Sequence, residues 1–326
     1  MNLSKIRLLK LVITFFLLYT AIKLYPEFSN IKYYISLVPD KLWIYSLIIP
    51  ILSHYILSIR WFFLIRFLKY KISYFDSLKV YLAGLTFMAA PARSGEAIRS
   101  LWLSNRHSIP IKIGIGITIN ERVTDLISAL ILIIWSTNNI KLLIVLILFL
   151  FTIIYTARSY KILSIVNTTL KKLSIFLIRF MPFISKHRGR TGFKSKLYKI
   201  LSGIKEINKP TPVIIATFLC IIAWLLEALL MYFVFNSLNV NLSYKQSTLI
   251  RTAMGIGGAL SIFPAGLLTS ESTSIGLAVA LGSGKVEALA STLFTRIYTL
   301  LIPSLIGLIS MNSQKDLNFK SNKKFY

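Results

Sequence analysis

The chain has 326 residues, of which 55% are hydrophobic and only 15% charged, and its mean hydropathy of +0.69 exceeds what a soluble core requires. It carries 38 Lys and Arg against 11 Asp and Glu, a formal net charge of +27. Interleaved with long apolar runs, that excess points to positive cytoplasmic loops and anionic lipid head groups, and away from nucleic acid. The one cysteine, Cys220, lies inside an apolar run, which excludes internal disulfides and cysteine-ligated metals.

A helix needs roughly 20 apolar residues to cross the hydrocarbon layer. The first such run, 8–24, has no small-x-small cleavage site after it, so a transmembrane helix is expected there and not a signal peptide. Lys5, Arg7 and Lys10 place its start in the cytoplasm, and a second span over about 42–65 returns to Arg66, Lys69 and Lys71. The next apolar piece ends at Pro91 and is followed by a short amphipathic stretch and then the basic RHSIPIK. With cytoplasmic loops on both sides, the segment 77–105 must enter and leave by one face, as a re-entrant hairpin. A span over 111–135 goes out and 142–157 returns to a basic loop, 158–210, whose only acid is Glu206. The run 212–235 goes out again. The following segment turns back as a second hairpin from the opposite face, and a last helix, 286–310, ends at a basic tail.

The expected fold class is therefore an all-α polytopic membrane protein, a single integral membrane domain over 1–326. About six full transmembrane helices are joined by two opposed re-entrant hairpins in a pseudo-inverted repeat, with repeat 1 at about 75–135 and repeat 2 at about 246–310. AGLTFMAAPARSGEAIR parallels GGALSIFPAGLLTSESTS. Aligning Pro91 with Pro264 brings Gly84 onto Gly257 and Lys112 onto Lys285, and leaves Arg122 one residue from Arg296. Broken helices in corresponding halves point to a transporter-like site at mid-membrane, with the turns at Pro91, Gly95, Pro264 and Gly266 buried in protein. The location expected is the inner or plasma membrane, with both termini cytoplasmic.

Arg60, Arg93, Glu96, Arg99, Glu121, Arg122, Asp125, Glu227, Glu271 and Arg296 fall in or beside apolar runs, where an unpaired charge facing lipid costs a few kcal/mol, about 3 or more. Glu121 and Asp125, four apart, share a helix face that Arg122 can also reach. One reading is a structural ion-pair network locking helices together. The other is an anion site, in which Arg93, Arg99 and Arg122 and a helix start after Pro91 hold a lipid phosphate, while Glu96, Glu227 and Glu271 balance the arginines or carry a proton. No metal or cofactor is expected: His54, His107 and His187 are scattered, and GSGKVEA (282–288) lacks the spacing of a phosphate-binding loop, so ATP is not the expected driver.

PARSGEAIR (91–99), NERVTDL (120–126) and PAGLLTSE (264–271), in that order and before a helix of the type TRIYTLLIPSLIGLI, resemble the flippase-like membrane domain of the lysylphosphatidylglycerol synthase family, over about residues 8–310. The family pattern Pro-Gly-Arg-x-Gly-Glu-x-x-Arg maps to Pro91, Arg93, Gly95, Glu96 and Arg99, with Ala92 in place of glycine. Glu-Arg-x-x-Asp maps to Glu121, Arg122 and Asp125. The third motif keeps Pro264, Gly266 and Glu271, but has Ala265 and Leu268 where glycines are usual and Ser270 where an arginine is common. The resemblance implies ATP-independent flipping of an anionic phospholipid or a polyprenyl-phosphate-linked lipid. It implies no enzymatic activity, because the soluble aminoacyltransferase domain of longer relatives is not expected in a chain reaching Tyr326. Two alternatives stand beside it. One is a membrane-embedded lipid-modifying enzyme with Glu96 or Asp125 as base. The other is a non-transporting subunit that supports a separate glycosyl- or aminoacyltransferase. A homodimer or such a transferase would be the protein partner.

Overall fold

The computed structural model describes residues 33–34, 36–88, 96, 98–137, 144, 210–259, 261 and 264–313. The run 8–24, the run 142–157 apart from Ile144, and nearly all of the basic loop lie outside these residues. The described part is helical, without strands. Its helices are α1 (Asp40–Phe67), α2 (Tyr74–Leu85), α3 (Ile98–His107), α4 (Ile111–Thr137), α5 (Pro210–Ser237), α6 (Tyr244–Ala259), α7 (Thr269–Ala280), α8 (Lys285–Arg296) and α9 (Ile302–Ser313). A π turn at Ile297–Leu301 joins α8 to α9. Among the described residues, three helical stretches are long and apolar enough to cross a membrane: α1, α5 and Lys285–Met311.

The elements correspond in pairs. Both α1 and α5 run for 28 residues. Each is followed by a residue with left-handed backbone, Lys69 (φ 62) and Asn239 (φ 59). Ser73-Tyr74 then opens α2 as Ser243-Tyr244 opens α6. Ser73 Oγ accepts from Asp76 N–H at 3.1 Å, and Ser243 Oγ from Gln246 N–H at 3.3 Å, so each helix start has a side chain on an otherwise orphan donor. Further on, α3 and α7 lead into positive-φ residues again, Ser108 (φ 54) and Gly282 (φ 102). The likeness thus begins at α1 and α5, well before the stretch in which the sequence shows it.

α1 and α5 pack antiparallel. Tyr45 meets Phe233 near one end, Ser53 meets Glu227 in the middle, and Arg60 and Cys220 meet at Asp125. The last helices exchange partners: α2 packs on α9 while α6 packs on α4. Two apolar cores result. One gathers Leu42, Ile49, Leu230, Phe235, Ile250 and Phe294, the other Trp61, Leu64, Val80, Trp102, Leu103 and Ile117. Ile44, Leu47, Ile48 and Ile51 of α1 and Ile214 and Phe218 of α5 stay exposed, as faces turned to lipid would be.

Candidate functional site

Between the two cores lies a cavity of about 390 Å³, lined from each of α1 to α8 and from residues beside both interhelical turns. Its walls carry the ionisable residues that the sequence sets inside apolar runs. Arg60 comes from α1, Arg99 from α3, and Glu121, Arg122 and Asp125 from α4, while Glu96 stands just before α3.

These six side chains form a closed ring of alternating charge. Arg60 bonds Asp125 at 2.6 Å and Glu121 at 3.4 Å. Glu121 reaches Arg99 at 2.7 Å, and Arg99 reaches Glu96 at 3.0 Å. Arg122 closes the circuit at 3.1 Å from both Glu96 and Asp125. Three guanidinium and three carboxylate groups make the ring neutral. Each charge has two opposite neighbours, the arrangement that offsets the desolvation cost of burial.

The members differ in access. The side chains of Arg60, Arg99 and Glu121 are 3%, 2% and 1% exposed, whereas that of Arg122 is 32% exposed and faces the cavity. Arg99 is also sandwiched, its guanidinium 4.3 Å from the Trp61 ring centre and 5.4 Å from that of Tyr81. Its guanidinium is thus held on two carboxylates and two ring faces.

Across the cavity the second half supplies separate pairs. Glu227 pairs with Arg251 and accepts from Ser53 Oγ at 2.8 Å. Arg296 pairs with Glu271 at 2.7 Å and donates to the Ala265 carbonyl at 2.6 Å, tying α8 to the turn before α7. That turn runs left-handed at Ala265 (φ 59), Gly266 (φ 67) and Leu268 (φ 70). The non-glycine residues that depart from the family motif thus sit in the conformation that favours glycine. The Pro264 backbone opens the turn, and the π turn follows directly after Arg296, a placement frequent at functional positions.

Of the residues expected from sequence, Glu96, Arg99, Glu121, Arg122, Asp125, Glu227 and Arg296 line the one cavity, with Glu271 bound to its rim through Arg296. Pro91, Arg93 and Gly95 lie outside the described residues. Two members escaped the expected set. Arg60 stands among the buried charges in the sequence without a partner to assign it. Arg251 shows only as a basic residue in the apolar TLIRTAMG. The available signal was Glu227, an intramembrane acid with no cation on its own helix, which had to find one elsewhere.

Residues 7–307 match the family described as lysylphosphatidylglycerol synthase TM region. The chain belongs to that family. It is similar to the UPF0104 membrane protein MJ1595 of Methanocaldococcus jannaschii, 26% identical over 317 residues that cover 92% of this chain and 93% of the relative. It is also similar to the UPF0104 membrane protein MJ1078 of the same organism, 27% identical over 190 residues, 54% of this chain and 71% of the relative. Neither the family description nor these names carry an enzymatic activity. No solved structure matches the chain.

Proposed function

We propose that this member of the family moves an anionic lipid, a phospholipid or a polyprenyl-phosphate-linked carrier, between membrane leaflets without ATP. In this reading α2–α3 and α6–α7 are re-entrant hairpins inserted from opposite faces. α1, α4, α5 and α8–α9 span the membrane, the runs 8–24 and 142–157 complete six spans, and both termini lie in the cytoplasm. The antiparallel packing of α1 on α5 and the exchange of α2 and α6 between the last helices support it, because halves inverted in the membrane must meet that way.

The observation that carries the proposal is Arg122, the open member of an otherwise sealed, neutral ring at the cavity between the hairpins. A phosphate reaching Arg122 takes the place of Glu96 or Asp125 on its planar fork, exchanging one anion for another without baring the guanidinium. The displaced carboxylate keeps its second arginine, Arg99 or Arg60, at 3.0 or 2.6 Å. The ring thus stores a cation ready for an anionic head group while its buried members hold the wall.

Reconstitution in liposomes with fluorescently labelled phosphatidylglycerol tests it. Wild-type protein is expected to speed exchange between leaflets, with Arg122→Ala and Arg93→Ala at the protein-free rate and Arg122→Lys in between. Equal exchange by wild type and Arg122→Ala overturns the proposal. A chemically altered lipid in the same vesicles, seen by mass spectrometry, would instead favour an enzyme.

A further inference from the structure

A second concavity, of about 530 Å³, lies at the end of the helical body where α5 finishes and α8 begins. Tyr33, Tyr34, Asn239, Asn241 and Glu287 line it, with Gly282 and Gly284 between them. The Tyr34 hydroxyl donates to Glu287 Oε1 at 2.6 Å, and Tyr33, 61% exposed, stands edge-on to Tyr34 with ring centres 5.5 Å apart. Asn239 and Asn241 are exposed, and a side chain at Gly282 would meet nothing within 4 Å. At Gly284 an added Cβ would collide with the Glu287 carboxylate, so the missing side chain is what lets that acid lie along the wall.

The first half of the chain provides an internal comparison. Its equivalent corner has the same left-handed residues, Lys69 for Asn239 and Ser108 for Gly282. Its chemistry is different: Lys71 stands for Asn241, Pro110 for Gly284 and the buried Ile113 for Glu287. The corner itself therefore demands neither amides, nor glycines, nor an acid. At the α5–α8 end those residues are additional to what the backbone needs.

Together they make a donor and acceptor set without a cation among the described residues lining it. The amides and phenols each donate and accept, the carboxylate accepts, and the exposed Tyr33 ring offers a flat apolar face. A phosphate would meet Glu287 with no guanidinium or ammonium among the described lining residues to offset it. We propose that this concavity binds a neutral polyhydroxyl group, a glycosyl or glycerol moiety, whose hydroxyls both donate and accept and whose C–H face lies on Tyr33. The proposal is independent of lipid translocation and of the charged ring.

Saturation-transfer NMR on the whole protein in phosphatidylcholine nanodiscs, with methyl β-glucoside, glycerol, ethanolamine and inorganic phosphate as probes, tests it. Transfer to the glucoside or glycerol is expected for wild type. It should fall about three- to tenfold, as for the loss of one or two hydrogen bonds, in Asn241→Ala, Tyr33→Ala and Glu287→Gln. Lys71→Ala and Arg122→Ala should leave it unchanged. Asn241 and Tyr33 are exposed, so those two variants keep the fold and the test stays open even if Glu287→Gln fails to fold. Glucosyldiacylglycerol in the nanodiscs distinguishes the source: competition with the soluble probe identifies a lipid head group, and no competition a free polyol. Signals equal in wild type, Asn241→Ala and Tyr33→Ala, no signal from either polyol, or stronger transfer to ethanolamine or phosphate, overturns the proposal.

Discussion

Glu121→Gln opens the charged ring at its most buried point while keeping side-chain volume. Glu121 is 1% exposed and joins Arg60 at 3.4 Å to Arg99 at 2.7 Å, so its neutralisation leaves one positive charge in excess among side chains at most 3% exposed. Removing one partner of a buried pair costs about 3–5 kcal/mol. Asp125 at 2.6 Å and Glu96 at 3.0 Å still hold the two arginines, which brings the expected cost to the lower end, about 3 kcal/mol. At about 2 °C per kcal/mol for a chain of this size, the midpoint should fall by about 6 °C. Cys220, the one cysteine, is fully buried, so a fluorogenic thiol reagent in detergent reports unfolding without further labelling. Arg122→Ala is the control from the same ring: its side chain is 32% exposed, and the midpoint should move by under about 2 °C while leaflet exchange is lost. Equal destabilisation by the two variants would refute the division of the ring into a fixed wall and an exchangeable cation.

Four further substitutions probe the backbone. Ala265→Gly and Leu268→Gly relieve left-handed φ values of 59° and 70°, and each should stabilise by about 1 kcal/mol, read as a higher midpoint in the same thiol assay. Gly84→Ala places a Cβ 2.6 Å from Cδ and Cγ of Arg99, so Arg99 must leave its place against Trp61; both stability and leaflet exchange should drop. Gly307→Ala drives a Cβ into the backbone at Thr86 and Leu82, where no side chain can yield. A loss of about 1–3 kcal/mol is expected there with the ring itself intact.

The membrane character, the helical class and the family were legible because they rest on composition and on motifs local in the chain. Glu121, Arg122 and Asp125 were legible as a cluster because helix periodicity sets residues three and four apart on one face. The ring as a whole was not. Arg60 and Arg99 reach Glu121 from positions 61 and 22 residues away, and no local pattern encodes such a pairing. The extent of the repeat was hidden for another reason. α1 and α5 match in length, following turn and helix start, but lipid-facing residues need only be apolar, so sequence likeness survives mainly where backbone geometry demands it, as at Ser73-Tyr74 and Ser243-Tyr244.

That repeat bears on whether the charged ring is needed to build the fold. Matching Ser108 with Gly282 carries Arg122 onto Arg296, Glu96 onto Ser270, Arg99 onto Thr273, Glu121 onto Thr295 and Asp125 onto Thr299. The space is matched too, since a Cβ at Gly84 would strike Arg99 and one at Gly257 would strike Thr273, each at 2.6 Å. At the positions matching the ring, the second half thus builds the same helices with hydroxyl side chains and one arginine, Arg296, paired with Glu271. A variant that copies it into the first half follows directly: Arg60→Leu, Ala97→Glu, Glu96→Ser, Arg99→Thr, Glu121→Thr and Asp125→Thr, with Arg122 kept. If the ring exists to carry an anion, this protein should insert and unfold within about 5 °C of wild type, because every removed charge has lost its partner with it and no unpaired ion stays buried. Leaflet exchange should nonetheless vanish, because the graded set of carboxylates that a phosphate can displace is gone. Exchange retained at the wild-type rate would show that the ring is not where the anion binds. Failure to fold would show that the first half, unlike the second, is held together by its charges.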